Sequence, residues 1–354
     1  MKIAFYHESS NDKGGVNRVV SLIASGLARR GHEVHIISRY EGKSSLYALD
    51  ERVKLHELYP KFVSKYKSLF SEYWKLKRIV REHHIDILVS AGGAFFLIAG
   101  WIKGVRHFEW DHTSYNHGDA VLQWGRRLAV RRAEKVIVLT EDNRKFFLSL
   151  KGCRAKVCRI FNPSTFQMEN VIPASQRENM VLAVGFIGKQ KGYDLLVKAW
   201  SMLPCLLRDK WKLFIVGDDR EKMLDELRRF CGAQGLNNVS FLGYRKDIPE
   251  LMKRAAFYVM SSRWEGLPMV LIEAQAAGLP IVAFDCKTGP RDVVIPGSGL
   301  LASPEDISDL AVKIEKMMSN LSLRESCSQK ALESSTRFEL EKIIDCWETE
   351  LAES

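Results

Sequence analysis

The chain alternates between two hydrophobic patterns, and each half repeats the alternation. Short continuous apolar runs, typical of strands buried on both faces, are followed by loops and then by apolar residues at helical spacing. Residues 2–7 predict the first strand, and the apolar positions from Val16 to Leu27 predict one face of a helix ending at Gly31. Because alternating strands and helices build parallel sheets, the sequence predicts two Rossmann-like units of the α/β class.

The predicted strands divide into two groups separated by a linker. They are 2–7, 34–38, 85–90, 106–110 and 136–139 in the first half, and 180–184, 212–216, 239–242, 257–260 and 281–284 in the second. Residues 162–179 are polar, contain two prolines and show no periodicity, which indicates a linker. A chain of 354 residues is too long for one typical core. We therefore expect domains at 1–165 and 178–335, followed by a terminal helix at 336–354.

The excess of positive over negative charge lies entirely in the first half. Residues 1–165 contain 29 Lys and Arg against 16 Asp and Glu, a balance of +13, whereas the whole chain carries +10. Such a surface indicates an anionic partner, either nucleic acid or acidic lipid. The chain has no nucleic-acid recognition motif, which argues against the first. The seven scattered cysteines form no C-x-x-C pair, the apolar runs are too short to span a bilayer, and the first residues lack signal-peptide features, so we expect a cytoplasmic protein.

Residues 61–81 combine aromatic and basic side chains at helical spacing, as helices at a membrane interface do. An ordinary surface helix remains the alternative. The residues expected to contact the membrane are Lys65, Lys67, Trp74, Lys75 and Lys77. The arginines expected to extend the same basic surface are Arg126, Arg127, Arg131 and Arg132.

The most informative window for chemistry is residues 262–274. It places Glu265 in a turn with Gly266 and Leu267, a helix start at Pro268, and Glu273 within that otherwise apolar helix. A helix N-terminus is a site for anions, and the two carboxylates can accept hydrogen bonds from hydroxyl groups. A nucleotide sugar has both groups, although a capped turn and a buried ion pair would also explain the two glutamates.

This window resembles the E-x7-E signature of the retaining GT-B glycosyltransferases of family 4. The resemblance implies that Glu265 lies beside the donor sugar, that Glu273 binds the ribose hydroxyls, and that the backbone of Gly266 and Leu267 contacts the donor. It also implies the GT-B plan, in which two Rossmann-like domains face a central cleft and the terminal helix crosses back onto the first domain.

Other segments of the second half resemble the same family. Residues 185–192 are similar to its diphosphate loop, which implies that Lys191 binds phosphate. Phe186 stands where relatives usually have an arginine, and Lys189 could supply the missing charge. The Phe-Leu-Gly element at 241–243 implies that Tyr244 and Arg245 contact the nucleotide base.

Two segments of the first half resemble the family more loosely. Gly15 lies in a glycine loop after the first strand, where a backbone can approach phosphate closely. Asn17 stands where many relatives have a glutamate. His112 follows a predicted strand and resembles the family histidine that faces the donor sugar; Asp111 is a weaker candidate.

Together these features predict a retaining glycosyltransferase that moves a sugar from a UDP-sugar to a hydroxyl of a membrane-linked cell-envelope glycan, of lipopolysaccharide core or O-antigen type. We expect no metal ion and no cofactor besides the co-substrate, and peripheral attachment to the anionic inner face of the cytoplasmic membrane. The alternatives are a nucleotide-sugar epimerase or phosphorylase, and a non-catalytic sugar-nucleotide-binding protein.

Overall fold

The computed structural model of the protein describes residues 1–11, 14–63, 65–166 and 171–353, apart from the side chains of residues 65–67. The chain folds into two compact units. The first unit contains Met1–Thr165 and Phe338–Ser354, and the second contains Phe166–Arg337.

The first unit is built on a seven-stranded parallel sheet in the order β3-β2-β1-β4-β5-β6-β7. Its strands are β1 Lys2–His7, β2 Glu33–Tyr40, β3 Lys54–Tyr59, β4 Ile87–Ser90, β5 Arg106–Asp111, β6 Lys135–Val138 and β7 Lys156–Arg159. The connecting helices are α1 Gly15–Arg29, α2 Lys65–Glu82, α3 Gly93–Ala99, α4 Ala120–Arg132 and α5 Glu141–Ser149.

The second unit contains a six-stranded parallel sheet in the order β10-β9-β8-β11-β12-β13. Its strands are β8 Glu178–Val184, β9 Lys212–Val216, β10 Val239–Phe241, β11 Ala255–Met260, β12 Ile281–Phe284 and β13 Gly299–Ala302. Its helices are α6 Tyr193–Ser201, α7 Cys205–Arg208, α8 Leu224–Ala233, α9 Ile248–Arg254, α10 Met269–Ala276, α11 Pro290–Val293, α12 Ile307–Ser319 and α13 Leu321–Ser335.

All ten strands expected from apolar runs are present. The structure adds β3, β7 and β13, and each of these lies at the edge of its sheet. An edge strand is covered less completely than a central one, so it lacks the continuous apolar run that indicates a buried strand. In β3, for instance, Lys54 is exposed and only Leu58 is fully buried.

Each sheet has one point at which the strand order reverses. In the first unit it lies between β1 and β4, and in the second between β8 and β11. Ligands of open parallel sheets bind outside the carboxyl ends of the strands at such a point. The loops after β8 and β11 are the segments 185–192 and 261–268, which contain five of the predicted donor-binding residues: Lys189, Lys191, Glu265, Gly266 and Leu267.

A final helix, α14 Leu340–Ala352, packs within the first unit against α1. The buried ring of Trp347 lies 5.8 Å from the ring of Phe5 and 4.8 Å from that of Trp110. Aromatic pairs of this kind contribute about 0.5–1.5 kcal/mol each beyond their burial. At the helix surface, Arg30 pairs with Glu341 at 2.9 Å and with Asp345 at 2.8 Å. The helix therefore completes the core of the first unit.

Candidate active site

The loop after β8 has a backbone shape that requires glycine. Gly185 and Gly192 have φ angles of +157° and +63°. A Cβ atom at Gly192 would lie only 2.1 Å from the carbonyl oxygen of Ser261, in the loop after β11. Between the two glycines, Lys189–Lys191 forms a single 3₁₀ turn that leads into α6. The glycines thus bring the predicted diphosphate loop against the loop that contains Glu265.

Polar contacts hold these two loops together. The Arg263 guanidinium pairs with Asp194 at 2.7 Å and also donates to the carbonyl oxygen of Lys189 at 2.8 Å. The Gln190 side chain donates to the carbonyl oxygen of Trp264 at 3.0 Å. These contacts connect residues 189, 190 and 194 to residues 263 and 264, so they hold the two loops together at their bases.

The central contact of the site joins Lys191 to Glu265. The Lys191 ammonium lies 2.7 Å from a carboxylate oxygen of Glu265, and their side chains are 14% and 8% exposed. Such a pair is nearly desolvated yet still reachable from solvent. The structure therefore brings the predicted phosphate-binding lysine and the predicted sugar-facing carboxylate into direct contact.

The segment from Glu265 to Glu273 leads into α10. The hydroxyl of Thr288 donates to the carbonyl oxygen of Glu265, and Leu267 is buried. Pro268 is the N-cap of α10, so the helix begins at Met269, one residue later than expected from sequence, and Pro268 has no side-chain acceptor to cap the first turn. A helix start of this kind suits an anion. Glu273 lies on α10 and is 6% exposed.

An arginine that sequence reasoning missed lies beside Phe186. The Arg220 guanidinium carbon is 5.1 Å from the centre of the Phe186 ring, and the Lys191 ammonium is 6.0 Å from the same ring. The Arg220 backbone is held by a 3.2 Å hydrogen bond to the carbonyl oxygen of Ile187. Arg220 thus offers positive charge near Phe186, the position at which the family resemblance implies an arginine. No sequence motif indicates Arg220, because it comes close to Phe186 through the parallel bridge between Ile187 and Asp219.

The remaining predicted residues of the second unit are exposed. Lys189 is exposed, as are Tyr244 and Arg245. Arg245 pairs with Asp247 at 2.5 Å, and the Gly243 carbonyl before them accepts from Gly217 N–H at 2.9 Å. This bond places the turn at the carboxyl end of β9, next to β8, which contains the start of the diphosphate loop.

In the first unit, His112 directly follows β5. Its ring lies 4.3 Å from the ring of Trp110, and its Nε2 atom is buried with no hydrogen-bond partner among the described residues. Burial, with a smaller contribution from His7, lowers the pKa of His112 to about 3. The imidazole is therefore neutral near pH 7, which suits a hydrogen bond with a sugar hydroxyl.

The expectation that Arg126 extends a basic surface is wrong. Its side chain is completely buried and forms two hydrogen bonds with the buried Asp111 carboxylate, at 2.6 and 2.9 Å. Arg126 also donates to the backbone carbonyl oxygens of residues 113, 114, 115 and 117. The pair shapes the loop that begins at His112. Because the Asp111 carboxylate is engaged by Arg126, we assign Asp111 a structural role.

A second histidine, His7, belongs to the same region and was not expected from sequence. It ends β1, and its Nε2 atom lies 3.0 Å from the Ser10 hydroxyl and 3.2 Å from the Ser38 hydroxyl. Burial lowers the pKa of His7 to about 4. Gly15 begins α1 just beyond, and a Cβ at that position would meet no atom within 4 Å. Open space at a helix start leaves room for a ligand.

The predicted membrane segment forms α2, but its lysines differ. Lys75 points back to the sheet, where it donates to the Leu58 carbonyl oxygen at 2.8 Å. Lys77 lies 4.6 Å from the ring of Trp74, which is half exposed, and the ring of Phe70 is 78% exposed. The side chains of Lys65 and Lys67 lie outside the described part of the chain. Among the described helices, none has both the length and the hydropathy that a membrane span needs.

Comparison with known proteins agrees with this arrangement. Residues 165–334 match the family model of glycosyl transferases group 1, and residues 13–163 match that of glycosyltransferase family 4. An uncharacterized glycosyltransferase of Haemophilus influenzae is 30% identical over 353 residues, with 98% of both chains covered.

A second relative comes from Campylobacter jejuni and is 26% identical over 368 residues, covering 100% of this chain and 99% of its own. It is a GalNAc-α-(1→4)-GalNAc-α-(1→3)-diNAcBac-PP-undecaprenol α-1,4-N-acetyl-D-galactosaminyltransferase. Among solved structures, Anabaena HepE in complex with UDP and glucose superposes with a TM-score of 0.79, at 21% identity and 99% coverage of both chains. That likeness shows the GT-B fold. The chain is a glycosyltransferase and belongs to the group 1 family, with a family 4 domain in its first half.

Proposed function

We propose that the protein is a retaining glycosyltransferase that uses a UDP-sugar and transfers the sugar to a hydroxyl of a lipid-linked cell-envelope glycan, of lipopolysaccharide core or O-antigen type. The observation that carries the proposal is the contact between Lys191 and Glu265 at the strand-order reversal of the second sheet. An ammonium group is suited to bind phosphate, and the carboxylate beside it can accept hydrogen bonds from sugar hydroxyls, so this contact supports the proposal.

Three positive groups can stabilise the departing diphosphate without a metal ion. These are the Lys191 ammonium, the Arg220 guanidinium and the start of α10. Preorganised positive groups stabilise developing negative charge strongly in a site with little water. Glu265 then stabilises the positive charge that develops on the sugar ring, and Glu273 accepts from the ribose hydroxyls.

The proposed reaction occurs on one face of the sugar. The bond between the anomeric carbon and the diphosphate oxygen breaks as the acceptor oxygen bonds to the same face. The acceptor proton moves to the departing diphosphate oxygen, so no protein nucleophile is needed. Neutral His112 is our candidate for the first unit's hydrogen bond to the donor sugar.

The relatives support the choice of substrates. HepE was solved with UDP and glucose, and the Campylobacter jejuni relative acts on a saccharide joined to undecaprenol. By analogy with these two proteins, we propose a UDP-sugar donor and a lipid-linked acceptor for this chain. They agree with the basic first half and with the exposed aromatic rings of α2.

The decisive experiment incubates the protein with a panel of UDP-sugars, with and without EDTA, and follows the products by NMR. Slow hydrolysis or transfer that yields the α-anomer from an α-linked donor is expected. Epimerised donor, or binding without turnover, would favour the two alternative functions. A requirement for divalent metal would contradict the metal-free mechanism.

Two conservative variants separate the carboxylates. Glu265→Gln should reduce kcat while UDP still binds, because its charge acts on the reacting sugar. Glu273→Gln should weaken UDP binding, because the ribose loses an acceptor. Near-wild-type behaviour of both variants would overturn the assignment.

The membrane part of the proposal rests on the outer face of α2. The inner face is fixed by a buried ion pair, in which the Arg39 Nε atom lies 2.8 Å from Glu72, so Phe70 and Trp74 remain outside. Binding to anionic vesicles should decrease with salt and with the double substitution Phe70→Ser and Trp74→Ser. Leu206→Ser, at an exposed position of the second unit, is the control. Equal sedimentation of all variants with neutral and anionic vesicles would leave α2 as an ordinary surface helix.

A further inference from the structure

Three histidines from distant parts of the chain meet within the first unit. His35 lies on β2, His56 on β3, and His83 directly after α2. The ring centres of His83 lie 4.9 Å from His35 and 4.7 Å from His56, and one ring nitrogen from each histidine lies within 4.8 Å of the others. Three imidazoles that converge in this way are suitable ligands for a transition-metal ion.

The neighbours of the cluster orient its rings. His35 is completely buried, and its Nε2 atom lies 3.2 Å from a carboxylate oxygen of Glu33. Its Nδ1 atom faces the Nε2 atom of His56 at 2.9 Å. A carboxylate on the outer nitrogen of a ligating histidine is the usual support of zinc sites, because it fixes the tautomer and directs the other nitrogen to the metal. Glu33 also pairs with Lys54 at 2.6 Å, so its charge is shared.

We propose that His35, His56 and His83 bind one divalent transition-metal ion, with Zn²⁺ the best fit, and that this ion joins the end of α2 to the edge of the first sheet. Three nitrogens around one tetrahedral zinc lie about 3.4 Å apart, given Zn–N bonds near 2.1 Å. The cluster reaches that spacing if the rings move by roughly 1 Å, with His56 giving up the hydrogen bond to His35.

The position of the cluster indicates a structural part for the metal. His35 and His56 lie near the amino ends of their strands, whereas His7 and His112 lie at the carboxyl ends. The site is therefore separate from the proposed chemistry. Metal binding would hold α2 against β2 and β3 and so fix the base of the helix that presents Phe70 and Trp74. Sequence spacing gave no sign of the site, since its ligands come from three separate elements.

The test titrates Zn²⁺ into metal-stripped full-length protein by calorimetry and follows the thermal midpoint. One equivalent should bind and raise the midpoint. His56→Gln and His83→Gln, both at partly exposed positions, should each weaken binding at least tenfold. His84→Asn is the matched control, because it removes the adjacent exposed imidazole at a left-handed position that asparagine tolerates. It should bind Zn²⁺ as the wild type does.

Two further measurements keep the outcomes distinct. The seven cysteines and the other histidines remain in every variant, so Zn²⁺ that binds equally well to His56→Gln and His83→Gln is held by groups outside this cluster, and this would overturn the proposal. Absence of saturable binding to the wild type would also overturn it. UDP affinity should be the same with and without Zn²⁺, whereas a metal-dependent UDP affinity would contradict the structural part assigned to the ion.

Discussion

The two units each contain a buried pair of opposite charges, and the pairs differ in what surrounds them. Arg126 and Asp111 are completely buried, and the Arg126 guanidinium also donates hydrogen bonds to backbone carbonyl oxygens. Lys191 and Glu265 retain 14% and 8% exposure, and the Lys191 ammonium contacts the carboxylate and lies 6.0 Å from the centre of the Phe186 ring. The Arg126–Asp111 pair is closed to ligands because its groups are buried and hydrogen-bonded. In the second pair, the Lys191 ammonium can replace its contact with Glu265 by a contact with a phosphate.

The largest effect on stability should follow from breaking the Arg126–Asp111 pair of the first unit. Arg126→Met leaves the Asp111 carboxylate buried without its partner, which should lower the free energy of unfolding by about 3–5 kcal/mol. Urea unfolding measures this, and Arg127→Met at the exposed neighbouring position is the control. UDP binding by the folded fraction should not change. A small loss of stability with a large loss of UDP affinity would show that the Arg126–Asp111 pair serves binding and not stability.

Breaking the pair of the second unit should chiefly affect binding. Lys191→Met should weaken UDP binding by about 1.5–3 kcal/mol, the scale of a hydrogen bond to a charged group. Calorimetry measures this, with Lys189→Met as the control in the same loop. Lys191→Met leaves the Glu265 carboxylate without its cation. The double variant Lys191→Met with Glu265→Gln should therefore be more stable than Lys191→Met alone, but it should not bind UDP more tightly. If Lys189→Met alone abolishes UDP binding, the assignment within the loop is wrong.

The buried carboxyl of Glu109 extends the comparison because, within the described part of the chain, no cation is hydrogen-bonded to it. Both oxygens of Glu109 are buried without a hydrogen-bond partner among the described residues, and burial, followed by the charge of Asp111, raises its pKa well above the ordinary 4.5. The folded state then holds a proton that the unfolded chain has lost. Stability should therefore fall as the pH rises above 4.5, by at most about 1.4 kcal/mol per pH unit, until the folded pKa is reached.

Glu109→Gln removes this proton and should make the free energy of unfolding fall less steeply between pH 5 and pH 8. Unfolding in urea at several pH values measures the two slopes, with the exposed Glu8→Gln as the control. Parallel profiles for Glu109→Gln and the wild type would show that the carboxyl is already ionised in the folded protein.

The smallest effect should come from the exposed cation beside the site. Arg220→Ala should weaken UDP binding by about 0.5–1 kcal/mol, because exposed ionic contacts are partly screened by water. Arg228→Ala on α8 is the control. An effect as large as that of Lys191→Met would show that Arg220 replaces the family arginine fully. No effect would leave Lys191 as the principal cation.

The sequence predicted the central strands because their signals are local, and the candidate donor-site residues rest on an equally local signal. Val34–Ser38 or Ile281–Phe284 are buried on both faces, and the Glu265 window combines a turn, a proline and a helix start within ten residues. Edge strands such as Lys54–Tyr59 have no such signal. Arg126 was wrongly placed at the surface because a count of charges does not reveal which arginine meets a buried carboxylate. Arg220 and His7 reach their sites through tertiary contacts that no spacing encodes.

The contact of Trp347 with Phe5 and Trp110 has a consequence for how the protein is made. Synthesis proceeds from the N-terminus, and domains generally fold as they emerge. The second unit, Phe166–Arg337, is contiguous and can fold as soon as it leaves the ribosome. The first unit has to wait with two large rings uncovered until Leu340–Ala352 follows. The first unit is therefore completed after the second, and until then Phe5 and Trp110 lack the cover that Trp347 provides.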